Sequence, residues 1–245
     1  MSSKRLKRIT HEIVDLEKSA DILANSGIYF KYDESNINII HALIMGPSNT
    51  PYEKGFYFFK FEYPENYPMQ PPTAKYCTQG NLLHASSKTQ FHVRFNPNLY
   101  VCGKVCLSML NTWAGPGWVP TNTIQNVLVA IQALVLNEQP LQNEPGFENA
   151  IKKELNKYNE VIAYANIKIS VLEMMYNTPL EFVYFKDIMK SIYLKNMDYY
   201  RNFILLKNDT LQDSVIDSPA YGMKVATNYE PLIYELDKLE EELLK

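Results

Sequence analysis

Between Pro64 and Pro72 four of nine residues are proline, and no other stretch limits the fold so much. Proline fixes φ at about −65° and has no N–H to donate, so this segment can be neither helix nor sheet interior. It must be a rigid loop or a sheet edge, and it divides two kinds of sequence. Ahead of it, Leu6, Ile9, Ile13 and Leu16 recur at helical spacing among charged residues. That pattern predicts an amphipathic helix ending before the turn residues Asn25-Ser26-Gly27. From Ile28 the period falls to two. Ile37, Ile39, His41 and Leu43 alternate with Asn38, Ile40, Ala42 and Ile44 up to Gly46-Pro47, and Phe56, Phe58 and Lys60 alternate with Tyr57, Phe59 and Phe61. Neighbouring strands joined by so short a turn predict an antiparallel meander.

Beyond the prolines, Lys75 to Cys77 reads as one more short strand, Asn81 to Tyr100 as mostly irregular, and Thr123 to Leu136 as a helix apolar enough to be central. After Pro145-Gly146 the composition shifts. Residues 149–205 carry several helical patterns, Asp209 to Asn228 reads as a loop, and Tyr229 to Lys245 as an acidic helix. Helix, antiparallel sheet, long loop and further helices make an α+β fold. A formal net charge of −3 speaks against a nucleic-acid partner, whose binding rests on neutralising phosphates. The longest apolar run, Val127 to Leu136, contains a glutamine and is about half the length that spans a bilayer, so no membrane anchor is expected. Cys77, Cys102 and Cys106 are an odd set without a signal-peptide pattern, which fits a reducing cytoplasmic or nuclear setting.

The segment richest in chemistry is Asn96-Pro97-Asn98-Leu99-Tyr100-Val101-Cys102-Gly103-Lys104-Val105-Cys106-Leu107. Two cysteines and two asparagines in irregular backbone are placed for display, although unpaired cysteines are most often small core residues. Phosphatase chemistry is disfavoured because Leu-Ser-Met-Leu after Cys106 cannot cradle a phosphate. Protease chemistry lacks a marked partner among His11, His41, His84 and His92, and the two cysteines have no second ligand pair for zinc. A thiol that needs no strong base suits thioester exchange, where the carbonyl is already activated and a neutral asparagine amide can serve the oxyanion.

These residues resemble the ubiquitin-conjugating enzyme family over about residues 5 to 160. Gly46-Pro47-Ser48-Asn49-Thr50-Pro51-Tyr52-Glu53-Lys54-Gly55 with Phe56-Tyr57-Phe58 is similar to its second and third strands, and Pro64 to Pro72 to its proline loop. Asn96-Pro97-Asn98 with Gly103-Lys104-Val105-Cys106-Leu107 is similar to its His-Pro-Asn motif and active-site cysteine, at the same eight-residue interval. Trp118-Val119-Pro120 follows in order. The long stretch Asn111 to Trp118 and the helical tail resemble a larger subgroup of the family. The resemblance implies a UBC fold with an N-terminal helix, a four-stranded antiparallel meander sheet, a central helix and C-terminal helices. It places a core domain at 1–176 and a helical C-terminal extension at 177–245, packed on or next to the core.

It also implies roles. Cys106 would be the thioester nucleophile, and Asn98 would support the loop and the oxyanion. Asn143 and Glu144 would gate the incoming lysine. Lys4, Arg5, Lys7, Arg8 and His11 would form the basic face that docks an activating enzyme, and Met69, Val119 and Pro120 a ligase-binding surface. The implied partners are ubiquitin or a ubiquitin-like modifier, an activating enzyme, a ligase and a protein substrate, met by a monomer. No metal or small-molecule cofactor is implied, since the activating enzyme consumes the ATP. Three departures stand out: Asn96 replaces the motif's histidine, Ser108 stands where aspartate is frequent, and Phe95 where tyrosine is frequent. They bear on lysine attack more than on thioester loading. The alternatives are a catalytically silent scaffold that binds ubiquitin or ligases, and the same chemistry with another modifier.

Overall fold

The computed structural model of the protein describes residues 3–33 and 35–245. The chain opens with α1 (Ser3–Lys18) and α2 (Ala20–Asn25), then lays down β1 (Ile28–Asp33), β2 (Asn36–Met45), β3 (Phe56–Glu62) and β4 (Thr73–Tyr76) as one antiparallel meander in that order. Ile9, Ile13 and Leu16 are buried as the helical spacing predicts. Leu6 is not; it is 41% exposed, and Arg5 takes the inner position instead. The arginine is held there because its guanidinium donates to the Tyr63 and Pro64 carbonyls, at 2.7 Å each, and to Asn38. The turn between β2 and β3 requires Gly46, since a Cβ there would lie 1.7 Å from the Tyr52 carbonyl oxygen.

Register decides what each sheet face buries. His41 pairs with Lys60, and Leu43 with Phe58, so these four share one face. Tyr57, Phe59 and Phe61 take the other, where Tyr57 and Tyr76 meet Phe95 edge-on. Neither face is left to water. The 3-10 segment Leu180–Phe185 lays Phe182 on Phe58 with ring centroids 4.6 Å apart, and Glu181 on Lys60. That double cover explains why Phe56 to Phe59 is aromatic without interruption. Each such ring contributes about 2–3 kcal/mol through burial.

Two short strands, β5 (Asn81–Leu83) and β6 (Gln90–His92), pair as a separate ribbon before the long irregular stretch. The central helix α3 (Ile124–Ala130) starts from a Thr123 capping box and runs into a π-helical turn, Ile131–Val135. Next, α4 (Lys152–Ala165) continues through a second π-helical stretch, Asn166–Glu173, into α5 (Met174–Tyr176). The remainder holds α6 (Lys186–Lys195), α7 (Met197–Leu211), β7 (Val215–Asp217), β8 (Lys224–Ala226) and α8 (Glu230–Leu243). It is tied to the earlier chain by Tyr200, which donates to the Lys54 carbonyl at 2.9 Å, and by Lys54, whose ammonium sits 4.0 Å from the Tyr199 ring centroid. The stretch from Asp209 to Asn228, read as loop, contains the β7–β8 hairpin. Its strands are only three residues long, and a tertiary contact helps to set them: Ala85 N–H donates to the Lys224 carbonyl at 2.8 Å, joining the hairpin to the β5–β6 ribbon. Among the described residues no helix is long and apolar enough to cross a membrane.

Candidate active site

The segment from Asn96 to Leu107 folds back on itself, with Leu99 bridged to both Asn96 and Val105. Two contacts fasten it to β4: Tyr76 N–H donates to the Gly103 carbonyl at 2.7 Å, and Lys75 bridges Lys104. Gly103 has φ +90°, and a Cβ on it would come within 3.0 Å of Lys75 Cγ and the Tyr76 carbonyl oxygen. Only glycine meets both demands without strain.

Asn96 organises the loop from inside. Its Nδ2 donates to the Val135 carbonyl at 2.6 Å and to the Tyr52 hydroxyl at 2.9 Å, while its Oδ1 accepts from Asn98 N–H at 2.7 Å. Val135 ends the π-helical turn, where carbonyls lack intrahelical donors, so Asn96 caps that end. The Tyr52 hydroxyl in turn donates to the Phe95 carbonyl. Asn98 and Cys106 are bound in both directions: Cys106 N–H donates to the Asn98 carbonyl, and Asn98 Nδ2 donates to the Cys106 carbonyl, each at 2.8 Å. Asn98 Oδ1 is buried and has no hydrogen-bond partner among the described residues.

The three thiols differ in setting. Cys102 is exposed, Cys106 is only 1% exposed, and burial pushes the Cys77 thiol up to about 11. Beside Cys106 runs a groove of about 320 Å³, lined among others by Asn98, Leu107, Ser108, Trp113, Asn143 and Glu148. After a 3-10 turn at Ser108–Leu110, Thr112 holds the chain by donating to the Val105 carbonyl and accepting from Leu107 N–H. Asn111, in the left-handed region at φ 56°, accepts from Trp118 N–H.

Of the two residues expected at a lysine gate, Asn143 lines the groove and Glu144 does not. The Glu144 carboxylate accepts a hydrogen bond from the Tyr221 hydroxyl instead. Glu148, which the sequence did not single out, lines the groove. Hydrogen bonds from its own N–H and from Gly146 N–H hold its carboxyl below the usual range. Acidity at that position is visible in the sequence, but the turn that brings it round is not.

The basic face of α1 divides. Lys4, Lys7 and His11 are exposed, and His11 pairs with Asp15 at 2.9 Å. Arg5 is 6% exposed and spent on the inner contacts given above, so it does not present its charge to a partner. Arg8 is bound to Glu12 at 2.5 Å and to the Asn122 carbonyl at 2.8 Å. Glu12 itself is buried and also accepts from the Tyr67 hydroxyl and from Ile124 N–H, the first residue of α3. Met69, Val119 and Pro120 are all exposed, and Trp118 joins their two segments by donating from Nε1 to the Pro68 carbonyl at 2.7 Å. Among the described residues no three His, Cys, Asp or Glu side chains are grouped to hold a metal ion.

Comparison with known proteins meets this geometry with a family. A family model described as ubiquitin-conjugating enzyme matches residues 8–170. The human protein named ubiquitin-conjugating enzyme E2 Z is 36% identical over 98% of this chain and 64% of its own length. The Danio rerio protein of the same name is 34% identical over 99% of this chain and 70% of its length. A putative ubiquitin-conjugating enzyme E2 39 of Arabidopsis thaliana is 36% identical over 73% of this chain and 56% of its length. The chain thus spans a little under two thirds of its human relative.

Proposed function

The chain belongs to the ubiquitin-conjugating enzyme family, and from that premise we propose that it carries ubiquitin, or a ubiquitin-like modifier, as a thioester on Cys106. In the first step the Cys106 thiolate attacks the modifier's carbonyl carbon, a new C–S bond forms, and the activating enzyme's thiolate leaves. In the second, the amine of a substrate lysine, met directly or through a ligase, attacks the same carbon. A C–N bond forms, the C–S bond breaks, Cys106 departs as thiolate, and the amine's proton goes to solvent. Neither step calls on a metal or small-molecule cofactor of this chain; ATP is spent by the activating enzyme.

The observation that carries the proposal is the two-way clamp between Asn98 and Cys106. It fixes the cysteine backbone beside the groove with an asparagine amide within reach, so positioning is supplied before substrate arrives. Asn98 keeps one N–H for the oxyanion in addition to the one on the Cys106 carbonyl. Asn143 and Glu148 face the groove where the acceptor amine would enter. The activating enzyme would dock on Lys4, Lys7 and His11, and a ligase on Met69, Val119 and Pro120. We place the protein in the cytoplasm or nucleus, where its three unpaired cysteines stay reduced.

The test is incubation with activating enzyme, ubiquitin and ATP, followed by non-reducing gels. A reductant-sensitive adduct is expected, which Cys106→Ser turns into a reductant-resistant ester and Cys102→Ser leaves as thioester. No adduct with any activating enzyme leaves the silent scaffold as the answer, and loading only by another modifier changes the cargo but not the chemistry.

A further inference from the structure

The hairpin β7–β8 ends in a tip, Ser218 to Met223, closed by Ser218 N–H donating to the Met223 carbonyl at 2.9 Å. Two successive tip residues, Tyr221 and Gly222, lie in the left-handed region at φ 63° and 61°. Glycine takes that conformation freely, whereas a bulky tyrosine takes it at a cost, which marks a position held by its surroundings. The ring of Tyr221 stacks on the Arg94 guanidinium, 4.9 Å from its centroid, and meets Tyr158 edge-on at 6.3 Å. The Tyr221 hydroxyl donates to Glu144.

Each contact leads to one side of the groove. Arg94 donates to the Asn96 carbonyl at 3.1 Å and the Pro97 carbonyl at 2.7 Å, so it braces the segment that delivers Asn98. The same guanidinium also packs on Tyr100, 3.5 Å from that ring's centroid, so it is held by two tyrosines. Glu144 stands between Asn143 and Pro145, which with Glu148 make up a second stretch of chain that lines the groove, its other wall. A single side chain from the C-terminal part of the protein therefore touches the supports of both walls. Burial and the facing carboxylate push the Tyr221 phenol far above its ordinary value, so it remains a donor to Glu144 at any physiological pH.

We propose that Tyr221 is a positioning residue for the transfer step: it fixes the two walls of the groove through Arg94 and Glu144, and so gives the extension a part in aligning the acceptor amine with the Cys106 thioester. The inference rests on the function proposed above. It predicts an effect on transfer rate that exceeds any effect on folding, because Tyr221 is itself 38% exposed and buries little. Misplacing reacting groups by an ångström costs up to about a hundredfold in rate, so partial loosening of one wall should cost severalfold and of both walls about tenfold.

The experiment uses the full chain, loaded with modifier and freed of activating enzyme, with single-turnover discharge to free lysine. Tyr221→Phe keeps the ring on Arg94 and loses only the bond to Glu144; its maximal discharge rate should fall about threefold. Tyr221→Ala loses both contacts and should fall about tenfold, with the half-saturating lysine concentration near that of wild type. Tyr221→Phe combined with Glu144→Ala should be no slower than Glu144→Ala alone, as required if the hydroxyl acts through that carboxylate. Arg201→Ala, which breaks the ion pairs between α7 and α8 to Asp237 and Glu240, serves as the stability control: it should lower the melting temperature and leave discharge unchanged. Wild-type rates for Tyr221→Ala, additive losses in the double variant, or an equal loss in Arg201→Ala would each overturn the proposal. Failure of the unaltered chain to load at all would instead overturn the reading beneath it, and this inference with it.

Discussion

Replacing Asn96 by alanine should destabilise the protein by about 3 kcal/mol, a large cost for three side-chain atoms. Asn96 is fully buried and satisfies three partners at once. Alanine leaves two main-chain groups without partners, the Val135 carbonyl and Asn98 N–H, in a region without exposure to supply water. An orphaned buried polar group costs about 1–3 kcal/mol. The Tyr52 hydroxyl loses a donor but still gives its own hydrogen to the Phe95 carbonyl, so its loss is small. The two groups together cost about 2–6 kcal/mol, and recovered side-chain entropy offsets part of that, which leaves a net of about 3 kcal/mol. Urea denaturation followed by tryptophan fluorescence reads this directly. At an m-value of about 3 kcal/mol/M, the midpoint should fall by about 1 M with m unchanged. Histidine at the same position keeps one donor and one acceptor, so it should recover about half of the loss. Aspartate cannot donate and would set an oxygen against the Val135 carbonyl, so it should be no better than alanine. A midpoint within about 0.2 M of wild type for Asn96→Ala would refute the idea that this side chain holds the loop.

Asn98→Ala should cost only about 1 kcal/mol by the same assay, since it removes one bond and also an already unpartnered oxygen; its discharge to lysine should slow by more than tenfold, and unchanged discharge would assign it to loop structure alone. Glu12→Ala strands Arg8, the Tyr67 hydroxyl and Ile124 N–H together, so a loss of about 3 kcal/mol and a melting temperature lower by about 10 °C are expected; a drop under about 3 °C would contradict that account. Maleimide labelling read by peptide mass spectrometry should modify Cys102 first, with Cys106 and Cys77 slower, and equal rates at Cys102 and Cys106 would mean that the covered state of Cys106 is short-lived. Burial holds the His41 pKa below its ordinary 6.5 against the pull of Glu181 and Asp33 and alongside the repulsion of Lys60, between rings of Phe182 and Tyr184. The folded state therefore binds fewer protons than the unfolded one, and this stability is present above pH 6.5 and lost as pH falls through the window beneath it. His41→Phe should flatten the decline of melting temperature in that window, and parallel curves would remove His41 as its cause.

The sheet was legible because period-two alternation is local, and β2 and β3 carry it over seven or more residues each. The alternation in β3 did not say that both of its faces are buried, nor that Phe182 covers the second one. The part that pairs with distant chain was hidden. The hairpin β7–β8 has one buried residue per strand, Ile216 and Val225, too little pattern to stand out in sequence. Glu12 sits at a helical position indistinguishable from its solvated neighbours, and only Tyr67 and α3 make it internal. Cys106 stood out from Cys102 only through the family resemblance, and the eight-residue interval it shares with that family returns the chain so that Asn98 and Cys106 clamp each other. Glu148 and Tyr221 escaped because a groove wall is made by a turn and a hairpin tip, neither of which has a period.

The departures next to Cys106 raised the question of how a site with Phe95 and Ser108 manages an amine. A lysine amine has a pKa of about 10.4, so near neutral pH it arrives almost wholly as ammonium and must lose a proton before it attacks. Glu148 cannot take that proton efficiently, since backbone hydrogen bonds hold its carboxyl below the usual carboxylate range, far from that of an amine. What it can do is attract the cation and then accept an N–H of the neutral amine from its place in the groove lining. Water carries the proton away. In such a site the rate rests on how well the two walls hold their acceptors in register around the thioester. A contact that spans both walls then matters more than any single acid, and in this chain that contact comes from Tyr221, more than a hundred residues beyond the cysteine it serves.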